Sequence, residues 1–426
     1  MIPSLLRRPG PFRWYWIGQS VSLFGDQITN VALPLVAVLF LHATPAEMGY
    51  LVAAAWLPYL LFALQAGAVV DRYGHRRLVM IAADLGRAAL LLTVPAAAAL
   101  HQLTLVQVFA VIFLNGTLST FFNVSMATLF VSMVEREDYV SGQSLLAGSR
   151  AFSFIGGPAV AGFLVQAFSG PIALVLDAAS FVVSALTLSG IRPAEPPAAR
   201  PQPGHLMSGV RFILRTPVMR SSLAATATIN LFNLSYSALA ILYIVRYLHI
   251  SAGLLGVILG IGSVGGLVGS VVAGRLGWRI GVGPAYLAGC VIFTAPLILT
   301  PLAGGPEALV VAMLLAAGFG AGLGVMVLDI NVGAIFAALI PNTLRSRVAG
   351  AYTVVNYGVR PLGSVAGGLL ASAIGVRPTL FIVTIAAVAG ALFLLPSPIP
   401  GLRELPDASP DPRNVDSSAA ESSRHA

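Results

Sequence analysis

The stretch Gly67-Ala-Val-Val-Asp71-Arg72-Tyr73-Gly74-His75-Arg76-Arg77 stands between two long apolar runs and carries three arginines within six residues. Guanidinium groups avoid hydrocarbon, so this stretch predicts a tight loop at a membrane surface. Gly74 permits the positive φ that such a turn needs, and Gly67 permits two helices to approach closely. Because arginine-rich loops stay in the cytoplasm, the loop orients the helices on both sides of it.

The composition is that of an integral membrane protein. Of 426 residues, 57% are hydrophobic and only 9% are charged, and the mean hydropathy is +0.88. So little charge cannot cover a soluble globule of this size. The net charge is +8, but the arginines are scattered between apolar segments, which argues against nucleic-acid binding. A single cysteine, Cys290, excludes an intrachain disulfide and a thiolate metal cluster.

The chain contains twelve apolar segments of the roughly 20 residues that a membrane-spanning helix needs. They cover roughly 14–41, 49–70, 78–100, 105–133, 144–168, 172–190, 218–248, 253–273, 284–303, 308–340, 348–374 and 378–396. The first follows Arg7, Arg8 and Arg13 and does not end at a small-residue cleavage site. It therefore predicts a membrane helix and not a removable signal peptide.

The arginines predict the orientation of these helices. Most of the 24 lie in segments 1–13, 71–77, 134–143, 191–217, 274–283, 341–347 and 397–426. The alternate loops hold almost none, with Arg246 and Arg377 as exceptions. By the positive-inside rule both termini and the central linker are cytoplasmic, in the inner membrane of a bacterial cell.

Four regions follow from this pattern. They are an N-terminal six-helix bundle at 1–190, a cytoplasmic linker at 191–217, a C-terminal six-helix bundle at 218–396 and a tail at 397–426. In the linker, Leu206, Val210, Ile213 and Leu214 recur at helical spacing opposite Arg211 and Arg215, which predicts a short helix on the membrane surface. The tail is rich in Pro, Ser and Asp without an apolar period, which is typical of disorder.

The two halves of the chain repeat each other. Arg72-x-Gly74-x-Arg76 corresponds to Arg275-x-Gly277-x-Arg279, and Asn123-Val124 corresponds to Asn331-Val332. Such repeats place a substrate site between the halves near the membrane midplane and give alternating access by rocking of one half against the other.

Asp71-Arg72-x-Gly74-x-Arg76-Arg77 after Gly67 resembles the loop between the second and third helices of major facilitator superfamily transporters. His75 departs from the pattern, because the family usually has Arg or Lys there. The resemblance implies an all-α membrane protein of twelve transmembrane helices in two six-helix repeats. It also implies that Asp71 lies against the N-terminal end of helix 11 and holds the cytoplasmic side shut.

Other motifs resemble the bacterial exporters that include macrolide and enterobactin efflux proteins. These are Gly25-Asp26, Ala82-Ala83-Asp84-Leu85-Gly86-Arg87-Ala88 and Gly209-x-Arg211-Phe212-Ile213-x-Arg215-x-Pro217. Gly156-Gly157-Pro158 with Gly162 resembles the helix 5 motif of antiporters, with Arg360-Pro361 as its counterpart in helix 11; simple small-residue packing explains these glycines equally well. The resemblance implies proton-driven export of a small molecule such as a drug, macrolide, siderophore or secondary metabolite, without a cofactor or a metal.

Charges at membrane depth are expensive and mark candidate sites. Asp26 lies mid-helix without a basic residue three or four positions away, so it is the first candidate for a proton-coupling group, against a satisfied polar contact. Asp329, followed by Asn331, is the second. Asp84 and Arg87 are three residues apart, which predicts a structural ion pair.

The remaining intramembrane charges leave several interpretations open. Asp177 is near the extracellular end of its helix, which suggests a snorkelling or capping group. Arg150 and Arg360 are deep enough to be counter-ions of the carboxylates or to bind an anionic substrate.

The sequence thus favours an exporter of a hydrophobic or amphipathic small molecule in exchange for protons, acting as a monomer in the lipid bilayer. Uptake or facilitated diffusion by the same fold is one alternative, and a transport-dead sensor or scaffold is another. The chain has no Walker A loop, nucleophile elbow or His-Glu-x-x-His helix, which disfavours ATP-driven export and enzymatic activity.

Overall fold

The computed structural model describes residue 5 and residues 10–191 and 206–405, without the side chains of a few residues such as Asp71 and Leu206. The proline-rich part of the linker and most of the predicted disordered tail lie outside these ranges. In the described part of the chain the regular structure is helical throughout.

Twelve long helices follow one another. They are α1 (Pro11–Leu35, continued by a π turn at Val36–Phe40), α2 (Pro45–Tyr73), α3 (Arg76–Ala99), α4 (Leu105–Val131), α5 (Tyr139–Phe168), α6 (Gly170–Ser189), α7 (Pro217–Arg246), α8 (Ala252–Ile280), α9 (Val282–Leu302), α10 (Glu307–Leu339), α11 (Arg345–Ile374) and α12 (Val376–Leu394). A short linker helix, Leu206–Arg215, precedes α7. Among the described residues, eleven of the twelve are long and apolar enough to cross a membrane. The twelfth, α11, spans 30 residues but carries more polar side chains.

Several helices extend beyond the apolar segments that predict them. Helix α5 begins at Tyr139 and not near 144, and α11 begins at Arg345 and not near 348. Hydropathy detects only the part of a helix that lies in hydrocarbon, whereas polar first turns protrude from it.

Local capping explains where α2 begins and ends. The Thr44 hydroxyl accepts a hydrogen bond from the Glu47 backbone N–H at 3.3 Å, and the Glu47 carboxylate accepts one from the Thr44 N–H at 2.7 Å. At the other end Gly74 has a φ of +66°, the left-handed conformation that the sequence predicts for this turn.

The first six long helices form one bundle and the last six form a second, and two seams join them. Helix α5 packs against α8, and α2 packs against α11. We call the membrane side that holds the start of α1 and the α2–α3 turn the terminal side, and the opposite side the distal side.

The seams are tight in their distal halves. A Cβ atom at Gly162 would lie 2.2 Å from the Ala252 carbonyl oxygen, and one at Gly368 would lie 2.7 Å from that of Pro45. Only glycine permits backbones to approach so closely.

The seams part in their terminal halves. A Cβ atom at Gly67 in α2 or at Gly148 in α5 would meet none of the described atoms within 4 Å. The bundles are therefore closed on the distal side and separated on the terminal side. The close helix approach that the sequence predicts at Gly67 is not seen among the described atoms of this conformation, and the role of Gly67 stays a prediction.

Candidate functional site

A cavity of about 470 Å³ lies between α7, α10 and α11, with Trp56 of α2 reaching in from the other bundle. Asp329 and Arg360 bring both charge signs to its wall, and Asn230, Asn233 and Asn356 bring amides. A cavity with apolar and aromatic walls and a few convergent polar groups is typical of a small-molecule site.

Arg360 is held by aromatic rings from both bundles. Its guanidinium carbon lies 4.2 Å from the ring centroid of Trp56 and 4.1 Å from that of Tyr357. Tyr59 of α2 stacks on Tyr357 with centroids 4.7 Å apart. This cation–π stack joins α2 to α11 where the two helices begin to diverge.

Hydrogen bonds between α7 and α11 shape the polar wall of the cavity. The hydroxyls of Thr226 and Tyr352 share a hydrogen bond of 2.6 Å, and the Asn230 amide donates to Asn356 Oδ1 at 3.1 Å. The wall is therefore organised before any ligand arrives, which lowers the ordering cost of binding.

A larger groove of about 720 Å³ is lined by α1, α5 and α6. All three helices belong to the first bundle, so the two bundles do not share this groove. The smaller cavity is lined by the second bundle and by Trp56 of the first bundle. Because it lies where the two bundles meet, it is the better candidate for an alternating-access site.

The first bundle brings three carboxylates close to one guanidinium, a group that we call the acid cluster: Asp26, Asp84, Asp177 and Arg87. Arg87 Nη1 lies 3.6 Å from Asp26 Oδ1, and Arg87 Nη2 donates to Asp84. The guanidinium lies between the rings of Phe122 and Phe181, at 4.5 and 4.0 Å from their centroids. Burial of Arg87 is thus compensated by two carboxylates and two aromatic faces.

Asp177 belongs to the same cluster. It is fully buried and accepts hydrogen bonds from Thr29 of α1 and, at 2.9 Å, from Ser180. It also interacts electrostatically with Asp26. The suggestion that Asp177 is a capping or snorkelling group is therefore wrong, because α6 carries it into the bundle and not to a helix end.

Asp26 has no basic neighbour along its own helix, but Arg87 of α3 supplies a cation in space. The Asp26 side chain remains 35% exposed, whereas those of Asp84 and Arg87 are 0% and 2% exposed. Asp26 is therefore the member of the cluster that a proton or a ligand can reach.

A small-residue face brings α1 against α6. A Cβ atom at Gly25 would lie 2.2 Å from an Asp177 carboxylate oxygen, and one at Gly18 would lie 2.1 Å from the Thr187 hydroxyl. Gly18 and Gly25 are seven residues apart and so share a helix face. This seven-residue spacing of glycines is the signal in the sequence that could have identified the face of α1 that packs against α6, where Asp177 lies.

The charged loop residues have separate surroundings. Arg77 donates to the carbonyl oxygens of Leu188 and Ser189 at 2.8 and 2.7 Å, which ties the α2–α3 turn to the end of α6. Arg76 is buried and Arg72 is exposed. The side chain of Asp71 lies outside the part of the chain that the structure describes.

The residues of the predicted gate lie along the contacts of α5 and α11. A Cβ atom at Gly157 would lie 2.5 Å from Gln27 of α1, while the carbonyl of Pro158 faces Gly256 of α8. Pro361 lies inside α11 and is buried. Arg150 is exposed, and no ion pair is seen for it among the described side chains.

The two arginines that break the arginine asymmetry bind helix-end carbonyls on the distal side. Arg246 at the end of α7 donates to Val38 and Ala43 of the other bundle, at 2.8 Å each. Arg377 donates to the Pro301 carbonyl at 2.9 Å within the second bundle. Beside the other seam, Gln166 of α5 accepts from the Gly253 N–H of α8 at 3.0 Å. Sequence reasoning detected these arginines as exceptions but not these contacts.

Known transporters share this architecture. The chain is 10–17% identical to several solved structures, which establishes the fold alone. A crystal structure of the nucleoside transporter NupG matches with a TM-score of 0.71 and 13% identity over 91% of this chain and 98% of that one. A bacterial homologue of the iron transporter ferroportin, in an inward-facing state, matches with a TM-score of 0.70 and 16% identity over 92% and 99%.

Sequence relatives match over most of both chains. The multidrug efflux pump Tap of Mycolicibacterium fortuitum is 27% identical over 400 residues, 90% of this chain and 94% of Tap. The uncharacterized MFS-type transporter YfiS of Bacillus subtilis is 27% identical over 383 residues, 84% and 86% of the two chains. Residues 6–421 match the model of the transmembrane secretion effector family. The chain is thus a multi-pass membrane protein that belongs to the transmembrane secretion effector family, within the drug-efflux branch of the major facilitator superfamily.

Proposed function

We propose that this transporter exports an amphipathic small molecule in exchange for protons. The cavity that contacts both bundles is the observation that carries the proposal, since it combines aromatic walls, three amides and one charge of each sign. Amphipathic molecules have parts that match each of these groups. The name of the relative Tap, a multidrug efflux pump, supports export.

Proton coupling is inferred from the charges of the acid cluster. Its three carboxylates share one guanidinium among the described residues, so full ionisation would leave an excess of negative charge inside the membrane. A proton on one carboxylate reduces that excess. Asp26 is the partly exposed member of the cluster and is our first choice for this proton, and Asp329 in the second bundle is the next.

The terminal side is the cytoplasmic side in this proposal, because it carries most of the arginines. The arrangement described above is then the inward-facing state of a carrier in the bacterial inner membrane. The two seams, with Gly157, Pro158 and Gly162 in α5 and Arg360 and Pro361 in α11, act as the outer gate. The loop residues Gly67, Asp71, Arg72, Gly74, Arg76 and Arg77 act at the inner gate.

Reconstituted vesicles provide the test. Purified protein is placed in liposomes that contain a pH-sensitive dye, a pH gradient is imposed, and ethidium and rhodamine 6G are added as amphipathic probes. We expect probe movement against its gradient, accompanied by proton movement in the opposite direction and abolished by a protonophore. If the probe moves equally with and without the pH gradient, the protein acts by facilitated diffusion and not by exchange for protons.

A further inference from the structure

The linker helix Leu206–Arg215 has one face that protein covers. Ile213 is 2% exposed and packs with Met219 and Val348 in a small apolar cluster. A Cβ atom at Gly209 would lie 2.3 Å from the Arg347 carbonyl oxygen in the first turn of α11. This face therefore holds the linker helix against the beginning of α11. The sequence predicts a short helix on the membrane surface, and the structure adds this contact with α11, which the sequence did not predict.

A second apolar face of the linker helix is uncovered. Met207 is 70% exposed, Leu214 is 56% exposed and Val210 between them is 38% exposed. Their spacing of three and four residues places them in one stripe along the helix. Three large apolar side chains in a row on a short helix are unfavourable in contact with water.

Positive charge flanks the exposed stripe. Arg211 and Arg215 follow Val210 and Leu214 by one position each and are exposed, and Arg220 in the first turn of α7 is exposed as well. The segment 206–220 contains no Asp or Glu. The surface around the stripe is therefore apolar in the middle and cationic at its edge.

The position of the helix puts this stripe at the level of lipid headgroups. Only Thr216 separates it from α7, and its covered face touches the first turn of α11. Both long helices begin near that point, and this is where we expect them to enter the bilayer. A helix with an apolar stripe and basic flanks at this depth matches the physical profile of an interfacial helix.

We propose that the linker helix is a binding surface for anionic phospholipids of the terminal-side leaflet. Met207, Val210 and Leu214 insert between the upper acyl chains, while Arg211 and Arg215 bind phosphate groups. The opposite face of the same helix is clamped to α11, which carries Arg360 and the α2–α11 seam. Anionic lipid at this surface thereby biases the position of α11.

The direct test measures lipid contact at the stripe. Leu214→Cys in a Cys290→Ser background is labelled with the fluorophore NBD and placed in nanodiscs of phosphatidylcholine, alone or with equimolar phosphatidylglycerol. Nitroxides on the upper acyl chains report contact with lipid, and a water-soluble nitroxide reports contact with water. We expect lipid quenching that rises about twofold or more with phosphatidylglycerol, as the attraction of basic side chains to anionic lipid predicts. His75→Cys, on the exposed α2–α3 turn, is the water-facing reference position.

Charge variants separate specific from general lipid effects. In Arg211→Gln/Arg215→Gln the rise with phosphatidylglycerol should disappear. In Arg275→Gln/Arg279→Gln, which removes the same charge from the terminal end of α8, the rise should remain. Quenching from water alone would mean that the stripe faces solvent or awaits a protein partner. Equal lipid quenching with and without phosphatidylglycerol, or an equal loss of the rise in both double variants, would mean that no anionic-lipid site exists. Each of these three results overturns the proposal.

Discussion

At the scale of single residues, we expect Arg87 to contribute to the stability of the first bundle. It is the cation of the acid cluster and touches both Asp26 and Asp84. We expect Arg87→Leu to lower the free energy of unfolding by about 3–5 kcal/mol, because Asp84 is left buried without its partner. Thermal denaturation in detergent measures this loss.

Two controls accompany this variant: the same Arg→Leu substitution at an exposed position, and a double variant that also changes Asp84. Arg275→Leu, at an exposed position on α8, should change stability by no more than about 0.5 kcal/mol. Arg87→Leu combined with Asp84→Asn should recover most of the loss, since the unpaired buried charge is then gone. If Arg87→Leu alone melts like the native protein, the ion pair does not stabilise the bundle.

Proton exchange depends on the carboxylate that solvent can reach. We expect Asp26→Asn to abolish substrate-driven proton flux in proteoliposomes while probe binding remains, because the variant cannot release a proton. Asp26→Glu should retain part of the flux. Asp329→Asn should be the next most damaging change. Asp177→Asn should lower thermal stability but keep the proton flux, since Asp177 is sealed by Thr29 and Ser180.

If Asp26→Asn moves as many protons per probe molecule as the native protein does, Asp26 is a structural residue. The coupling group would then have to be sought at Asp329.

At the scale of helices, Arg246 fastens α7 to the other bundle. Its two hydrogen bonds to Val38 and Ala43 join the two bundles on the closed distal side, so we expect them to break when that side opens. We expect Arg246→Gln to shift the carrier toward a distal-open state, because it removes contacts of one state only. A reporter cysteine at the buried Ser364, beside the α2–α11 seam, should then react severalfold faster with a hydrophilic maleimide.

Arg377→Gln is the control for this change. Arg377 also binds a distal carbonyl, that of Pro301, but both belong to the second bundle. Its loss should leave the reactivity of the reporter near the native level. Equal acceleration in the two variants would indicate general loosening and not a contact specific to one state.

The α5–α8 seam allows an independent test of whether close packing of two helix backbones is needed for transport. A methyl group at Gly162 collides with the Ala252 carbonyl oxygen, and backbone cannot move aside as a side chain does. We expect Gly162→Ala to disfavour the distal-closed state and to slow transport. Gly148→Ala on the same helix, where a Cβ meets open space, should transport normally. Normal transport by Gly162→Ala would show that this close approach is dispensable.

At the scale of the whole molecule, membrane orientation follows from the arginines. We expect Glu307→Cys, exposed in the first turn of α10, to react with an impermeant thiol reagent in intact cells. His75→Cys at the α2–α3 turn should react only after permeabilisation. Both are made in a Cys290→Ser background, and the native Cys290 is buried. Reversed labelling would place the termini outside.

Much of the architecture could be predicted from local properties of the sequence. The apolar lengths predict the long helices, Gly74 predicts the left-handed end of α2, and the repeated Arg-x-Gly-x-Arg motif predicts two related bundles. Each of these depends on one segment and its transfer between water and lipid, or on the steric freedom of one residue. No knowledge of the neighbours is needed for them.

From local patterns alone, the chain is recognisable as a membrane protein of twelve helices in two repeats. Only the tertiary fold reveals that Arg87 of α3 lies against Asp26 of α1, that Arg360 stacks between rings of both bundles, and that the linker helix packs against α11. Those contacts join residues from distant helices, and the rotation and depth of each helix come from packing at positions such as Gly25 and Gly209. The mean hydropathy of a segment does not specify that rotation, because it measures how apolar the segment is and not which neighbour each face meets.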